Sequence, residues 1–127
     1  MRRKSKLLNW KYHRTMSAIV QEYIRADQSN PFRRWFDGLD IQAAGLVAKA
    51  ILKMKQGNTS HIKPLGGISE YVIDWGPGYR IYLAQEGATL ILLFGGGTKK
   101  RQQADIDRAR WLYREYKQQK KARGGAP

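Results

Sequence analysis

Cysteine is absent from the 127-residue chain, which excludes disulfides, thiolate metal ligands and a cysteine nucleophile. Histidine is almost absent: His13 and His61 are the only two, and neither stands among carboxylates at metal-ligand spacing, so no metal and no other cofactor are expected. No apolar run approaches the ~18 residues of a membrane span, so no membrane partner is expected. The N-terminus lacks the apolar stretch of a signal peptide, which makes the cytoplasm the expected location. Acid is the remaining shortage. Ten Asp and Glu stand against 24 Lys and Arg, a net charge of +14. Such a balance suits a polyanionic partner, and charge alone leaves RNA, DNA and an acidic protein open.

With 42% apolar residues, four Trp and seven Tyr, the composition is globular, and the length fits one domain. Residues 1–15 carry six cations (Arg2, Arg3, Lys4, Lys6, Lys11, Arg14) and no acid. They read as a basic, mobile arm. Met16 opens MSAIVQEYI, which reads as a strand, so translation from Met16 is an alternative start; without the six cations of the arm the charge falls from +14 to +8.

A domain is expected over 16–117. Asn30-Pro31 marks a helix start with proline at the first position, and PFRRWFDGL ends near Gly38. Asp40 caps a second helix, with Gln42, Lys49, Lys53 and Gln56 on the polar side and Ile41, Ala44, Ala48, Ile51 and Leu52 on the buried side. Gly57-Asn58 stops it, and His61 to Pro64 follow as loop. Three strands come next, ISEYVID, YRIYLAQ and TLILLFG, joined through a turn with Pro77 second and Gly78 third and through Glu86-Gly87. They form an antiparallel meander. Strand alternation puts Tyr71, Ile73, Trp75, Tyr79, Ile81 and Leu83 on one face, and Glu70, Val72, Asp74, Arg80 and Tyr82 on the other. TLILLFG is apolar on both faces and belongs in the sheet interior. A last helix begins near Asp105 with Ile106, Ala109, Tyr113 and Tyr116 on its apolar stripe and Arg108, Arg110 and Arg114 opposite. Residues 118–127 read as a disordered basic tail. The order predicts an α+β fold with the helices on one face of a small sheet and the other face partly open.

Arg80 projects from that open face, and the loop with Lys99, Lys100 and Arg101 leaves a nearby strand. Clustered cations suit RNA cleavage without a metal. The 2′-OH attacks the adjacent phosphate, and preorganised Arg and Lys stabilise the phosphorane, each worth about 3 kcal/mol. For the proton transfer His13, His61, Glu70, Asp74 and Tyr82 are the candidates; pairing with neighbouring cations is the structural alternative for Glu70 and Asp74. Tyr82 also suits stacking on a base. Gly95-Gly96-Gly97 lacks the GxxxxGK[ST] spacing of a phosphate loop, and reads as a place where the strand bends.

PFRRWFDGLD, then GN and KPLGGISE, then DWGPGYRIY, and finally GGTKKRQQADIDRA span about residues 16–116. Together they resemble the RelE/ParE toxin superfamily, in particular the HigB-like addiction module killer protein group of type II toxin–antitoxin systems. The resemblance implies a RelE-like fold and a metal-independent endoribonuclease that cleaves mRNA on the ribosome. A cognate antitoxin, often with a helix-turn-helix domain, would hold it silent. Arg80 matches the arginine that contacts the scissile phosphate, and Lys99 matches the group's lysine before the last helix; these two are the expected catalytic residues. Lys100, Arg101, Gln102, Tyr82 and Lys63 of KPLGG are the expected RNA-binding residues. Two positions depart from the group: Val72 stands where it has arginine, and Thr98 where it has aspartate. They leave two alternatives, a ParE-like gyrase poison and a decayed toxin that only binds its antitoxin.

Overall fold

The computed structural model describes residues 17–124; the arm expected over 1–15 lies outside them. The elements in order are β1 (Ile19–Glu22), α1 (Pro31–Asp37), α2 (Ile41–Lys55), β2 (Ile62–Pro64), β3 (Ser69–Ile73), β4 (Tyr79–Glu86), β5 (Leu90–Thr98), a 3-10 turn over Lys99–Arg101, and α3 (Gln102–Ala122). The fold is α+β: one mixed five-stranded sheet in the order β1-β5-β4-β3-β2, with three helices. β1 runs parallel to β5, and every other pair is antiparallel.

The helix starts follow the local chemistry. Asn30 accepts a hydrogen bond from the Arg33 amide with Pro31 in the first turn, and Asp40 accepts from the Ala43 amide; each satisfies an amide the helix leaves without a partner. The β3–β4 connection turns one residue earlier than the sequence implies. Trp75 O accepts from the Gly78 amide, so Gly76 and Pro77 occupy the centre of the turn, with positive φ at Gly76 and Gly78.

Helices cover both faces of the sheet, which corrects the expectation of helices on one face. Tyr82, Ala84, Leu92 and Phe94 pack beneath Ile106, Ala109 and Leu112 of α3. Ile81, Leu83, Ile91 and Leu93 pack on the other side against Phe32 of α1 and Val47, Ala50 and Met54 of α2. The reason lies in β4 and β5 alike: both are apolar on consecutive residues, and each buried large side chain gains about 1.5–3 kcal/mol, so neither face can be left in water.

Three further points differ from the sequence reading. The segment Ile62–Pro64 adds an edge strand to the meander. α2 buries Ala43, Val47, Ala50 and Met54, leaving Ile41 at 88% exposure and Leu52 at 54%, so its core stripe is rotated from the predicted one. α3 continues through Ala122, five residues into the stretch read as tail.

Candidate functional site

The cross-sheet register decides which polar residues meet. Val72 pairs with Arg80 and Arg80 with Gly97; in the adjacent row Lys63, Glu70, Tyr82 and Gly95 stand side by side. At the end of β4 the Lys99 amide donates to Gly78 O at 3.1 Å. A Cβ built on Gly78 would lie 3.9 Å from Arg80 Nη1 and 4.0 Å from Lys99 Cβ. The start of β4 and the 3-10 turn thus bring the Arg80 guanidinium and the backbone and Cβ of Lys99 beside one glycine.

Arg80 does not project from an open face. Its Nε lies 3.3 Å from Glu70 Oε1, and the two side chains are only 14% and 8% exposed. Neither atom has a hydrogen bond of good geometry, so the contact is ionic. Removed from water, the pair depends on each other's charge. Pairing with a cation, the structural alternative for Glu70, is what the geometry gives it.

Two of the three glycines of β5, Gly96 and Gly97, serve close approach. The register shifts between Tyr82 and Leu83, which leaves Phe94 as the extra residue of a bulge, and Gly95 follows it. A Cβ on Gly96 would overlap the Trp35 ring, and one on Gly97 would overlap the Asp105 carboxylate. Trp35 and Asp105 therefore rest directly on the strand from its two sides.

Beside those glycines lies a pocket. β1 ends at Glu22, opposite Leu93, so β5 from Phe94 onward has no strand neighbour on that edge. α1 and the start of α3 flank the bare edge and enclose a cavity of about 560 Å³. Arg34 enters from α1, Arg101 from the 3-10 turn and Arg108 from α3; Trp35, Asp105 and Tyr82 complete the walls. The three arginines are exposed, and none is in an ion pair among the described residues.

Two titratable groups there are displaced by burial. Withdrawal from water raises the Asp105 carboxyl above its ordinary range, with Arg101 pulling it partly back. Burial pushes the Tyr82 phenol up to about 12, the carboxylates of Glu70 and Asp105 add to the shift, and Arg80 opposes it. The Tyr82 hydroxyl is buried without a hydrogen-bond partner, and such an orphan requires explanation.

Among the expected RNA-binding residues, Lys100 and Arg101 are exposed in the 3-10 turn and Gln102 is half-buried at the start of α3. Lys63 is exposed on β2, two strand spacings or about 10 Å from the strand of Tyr82. Tyr82 is 1% exposed, which corrects its reading as a stacking platform: packed under α3, its ring is not open to a base. His61 leans on Tyr71, centroids 5.5 Å apart, on the α2 side of the sheet and away from Arg80. Asp74 is exposed beyond the end of β3. His13 lies outside the described residues.

Sequence reasoning does not single out Arg34, Arg108 or Asp105 as site residues. Asp105 stands there only as part of the GGTKKRQQADIDRA block and Arg108 only as part of that block and of the basic face of the last helix; a further signal is the glycine run, since consecutive glycines inside a strand announce side chains lying on its backbone. Among the described residues no three His, Asp or Glu side chains are grouped to hold a metal ion, and no helix is long and apolar enough to cross a membrane.

No protein-family profile matches the chain, and no solved structure matches it. An uncharacterized protein of Haemophilus influenzae is 36% identical over 86 residues, which cover 66% of this chain and 87% of that protein. The chain belongs to the same family as that Haemophilus influenzae protein.

Proposed function

We propose that the protein is a RelE/ParE-like toxin of a type II toxin–antitoxin system, a cytoplasmic endoribonuclease that cleaves mRNA on the ribosome without a metal. The observation that carries this reading is that Arg80 Nη1 and Lys99 Cβ both lie beside Gly78. A phosphorane formed by 2′-OH attack bears charge that Arg80 of β4 and Lys99 of the adjoining 3-10 turn stabilise. Lys100 and Arg101, one and two residues on and exposed to solvent, hold the flanking backbone phosphates. The order of strand, two helices, meander and helix, together with GPGYRIY and the GGTKKRQQADIDRA block, supports a RelE-like assignment of the fold. The excess of Lys and Arg supports an acidic antitoxin segment as the silencing partner.

A second reading is favoured by one contact. Glu70 neutralises part of the Arg80 charge, and Val72, its neighbour across the strands, brings no second cation. A protein so arranged binds its antitoxin without cleaving RNA.

Inducible expression without antitoxin separates the two. Wild type, Arg80→Lys and Lys99→Ala are followed for growth, with mRNA 5′ ends mapped. Growth arrest with new ends inside translated messages, lost in Lys99→Ala, supports the nuclease. Normal growth with intact messages in the wild type leaves the binding module, and arrest with intact messages and DNA damage indicates the gyrase-directed branch.

A further inference from the structure

The pocket on the bare edge of β5 is separate from the Arg80–Lys99 end of the hairpin, and neither of those residues lines it. Its volume of about 560 Å³ is in the range of small-ligand sites. Three elements each bring one arginine free of ion pairs among the described residues, an unusual investment of charge around one cavity. Trp35 supplies an aromatic wall. Tyr82, only 1% exposed, lies in the wall of the same cavity, and its hydroxyl is buried without a hydrogen-bond partner.

We propose that this pocket binds a single nucleotide, with the base beside Trp35, its exocyclic amine donating to Asp105, and its phosphate held by Arg34, Arg101 and Arg108. The arginines match a phosphate in geometry and charge, and an aromatic wall matches the flat face that every base offers. Asp105 decides between an RNA and an acidic protein segment as occupant. A carboxylate on the wall repels the side chains of an acidic peptide, whereas it accepts a hydrogen bond from a base amine. It also sets a preference: cytosine presents an amine where uracil presents a carbonyl oxygen, so the site discriminates for cytidine over uridine nucleotides.

The inference rests on the RNA reading only for the chain to which the nucleotide belongs. It is tested without ribosomes or cleavage, so the two fail separately. The full chain is titrated calorimetrically with CMP, UMP, cytidine and inorganic phosphate. The expected result is saturable CMP binding, at least tenfold tighter than UMP and tighter than cytidine or phosphate. Arg34→Gln with Arg108→Gln, both at exposed positions, weakens it at least tenfold, and Asp105→Asn removes the difference between CMP and UMP. Absence of saturable CMP binding overturns the proposal, as does equal affinity for the two nucleotides or indifference to the paired arginine change. Binding of a glutamate-rich peptide in place of CMP, lost in the paired arginine variant, also overturns it and gives the pocket to an acidic protein. Circular dichroism of each variant checks that the fold is intact. Because Arg80 and Lys99 do not line the pocket, Arg80→Lys and Lys99→Ala should bind CMP as the wild type does whatever they do to growth.

Discussion

Arg80 Nε stands 3.3 Å from Glu70 Oε1, and both side chains are largely withdrawn from solvent. Breaking such a pair from one side strands a charge in the interior. Glu70→Ala and Arg80→Ala should each destabilise the fold by about 3–5 kcal/mol, whereas Glu70→Leu with Arg80→Met should stay near the wild type. Urea denaturation of the four proteins measures this. Single changes within about 1 kcal/mol of wild type would mean that water reaches the pair. Arg80→Lys keeps the charge, which is why it and not Arg80→Ala serves as the functional variant.

Gly96 and Gly45 make opposite predictions from the same substitution. The Trp35 ring lies where a Gly96 Cβ would be, while nothing lies within 4 Å of a Cβ on Gly45. Gly96→Ala should cost about 1–3 kcal/mol through overpacking. Gly45→Ala, on the exposed side of α2, should stabilise by about 0.5–1 kcal/mol. Thermal melts that shift down for the first and up for the second are the expected outcome. Two shifts of the same sign would contradict the close approach of Trp35.

The meander was legible because its signals are local. Period-two alternation in ISEYVID and YRIYLAQ puts Tyr71 and Ile81 on one face and Val72 and Arg80 on the other, and the register then pairs them. The phase of α2 was not, since apolar residues surround that helix: Ile41, Ala48 and Leu52 are as hydrophobic as the Ala43, Val47, Ala50 and Met54 that are buried. β2 is three residues ending in proline, too short to alternate. The pocket was least legible, because Arg34, Arg101 and Arg108 come from three elements and meet only where β1 stops short of Phe94.

Tyr82 carries a buried hydroxyl without a partner, and the unpaired group costs the folded state about 1–3 kcal/mol of desolvation. Tyr82→Phe keeps the ring that packs with Phe94 and Ile106 and removes the orphan. The protein should therefore gain about 1 kcal/mol in urea unfolding. A variant less stable than the wild type would show that the hydroxyl is already satisfied without ligand.

Asp105 and Glu115 should respond to pH with opposite signs. Burial raises the Asp105 carboxyl above its ordinary 3.8, so folding favours the protonated form. Its stability contribution is fully present below 3.8 and is lost as pH rises through the folded value. Asp105→Asn should then be more stable than wild type at pH 7, with the advantage closing as the wild type is acidified. Glu115 is held below its ordinary 4.5, chiefly by the hydrogen bond from Arg25, with a further one from Tyr23. Its contribution is present above 4.5 and disappears as pH falls through the lower folded value. Glu115→Gln should accordingly be less stable than wild type at pH 7, and that deficit should shrink on acidification. Urea midpoints of the three proteins between pH 7 and pH 3 measure both differences. A gap for Asp105→Asn that stays constant with pH would mean that the carboxyl resting on Gly97 titrates alike in the folded and unfolded chains, and that burial does not govern it.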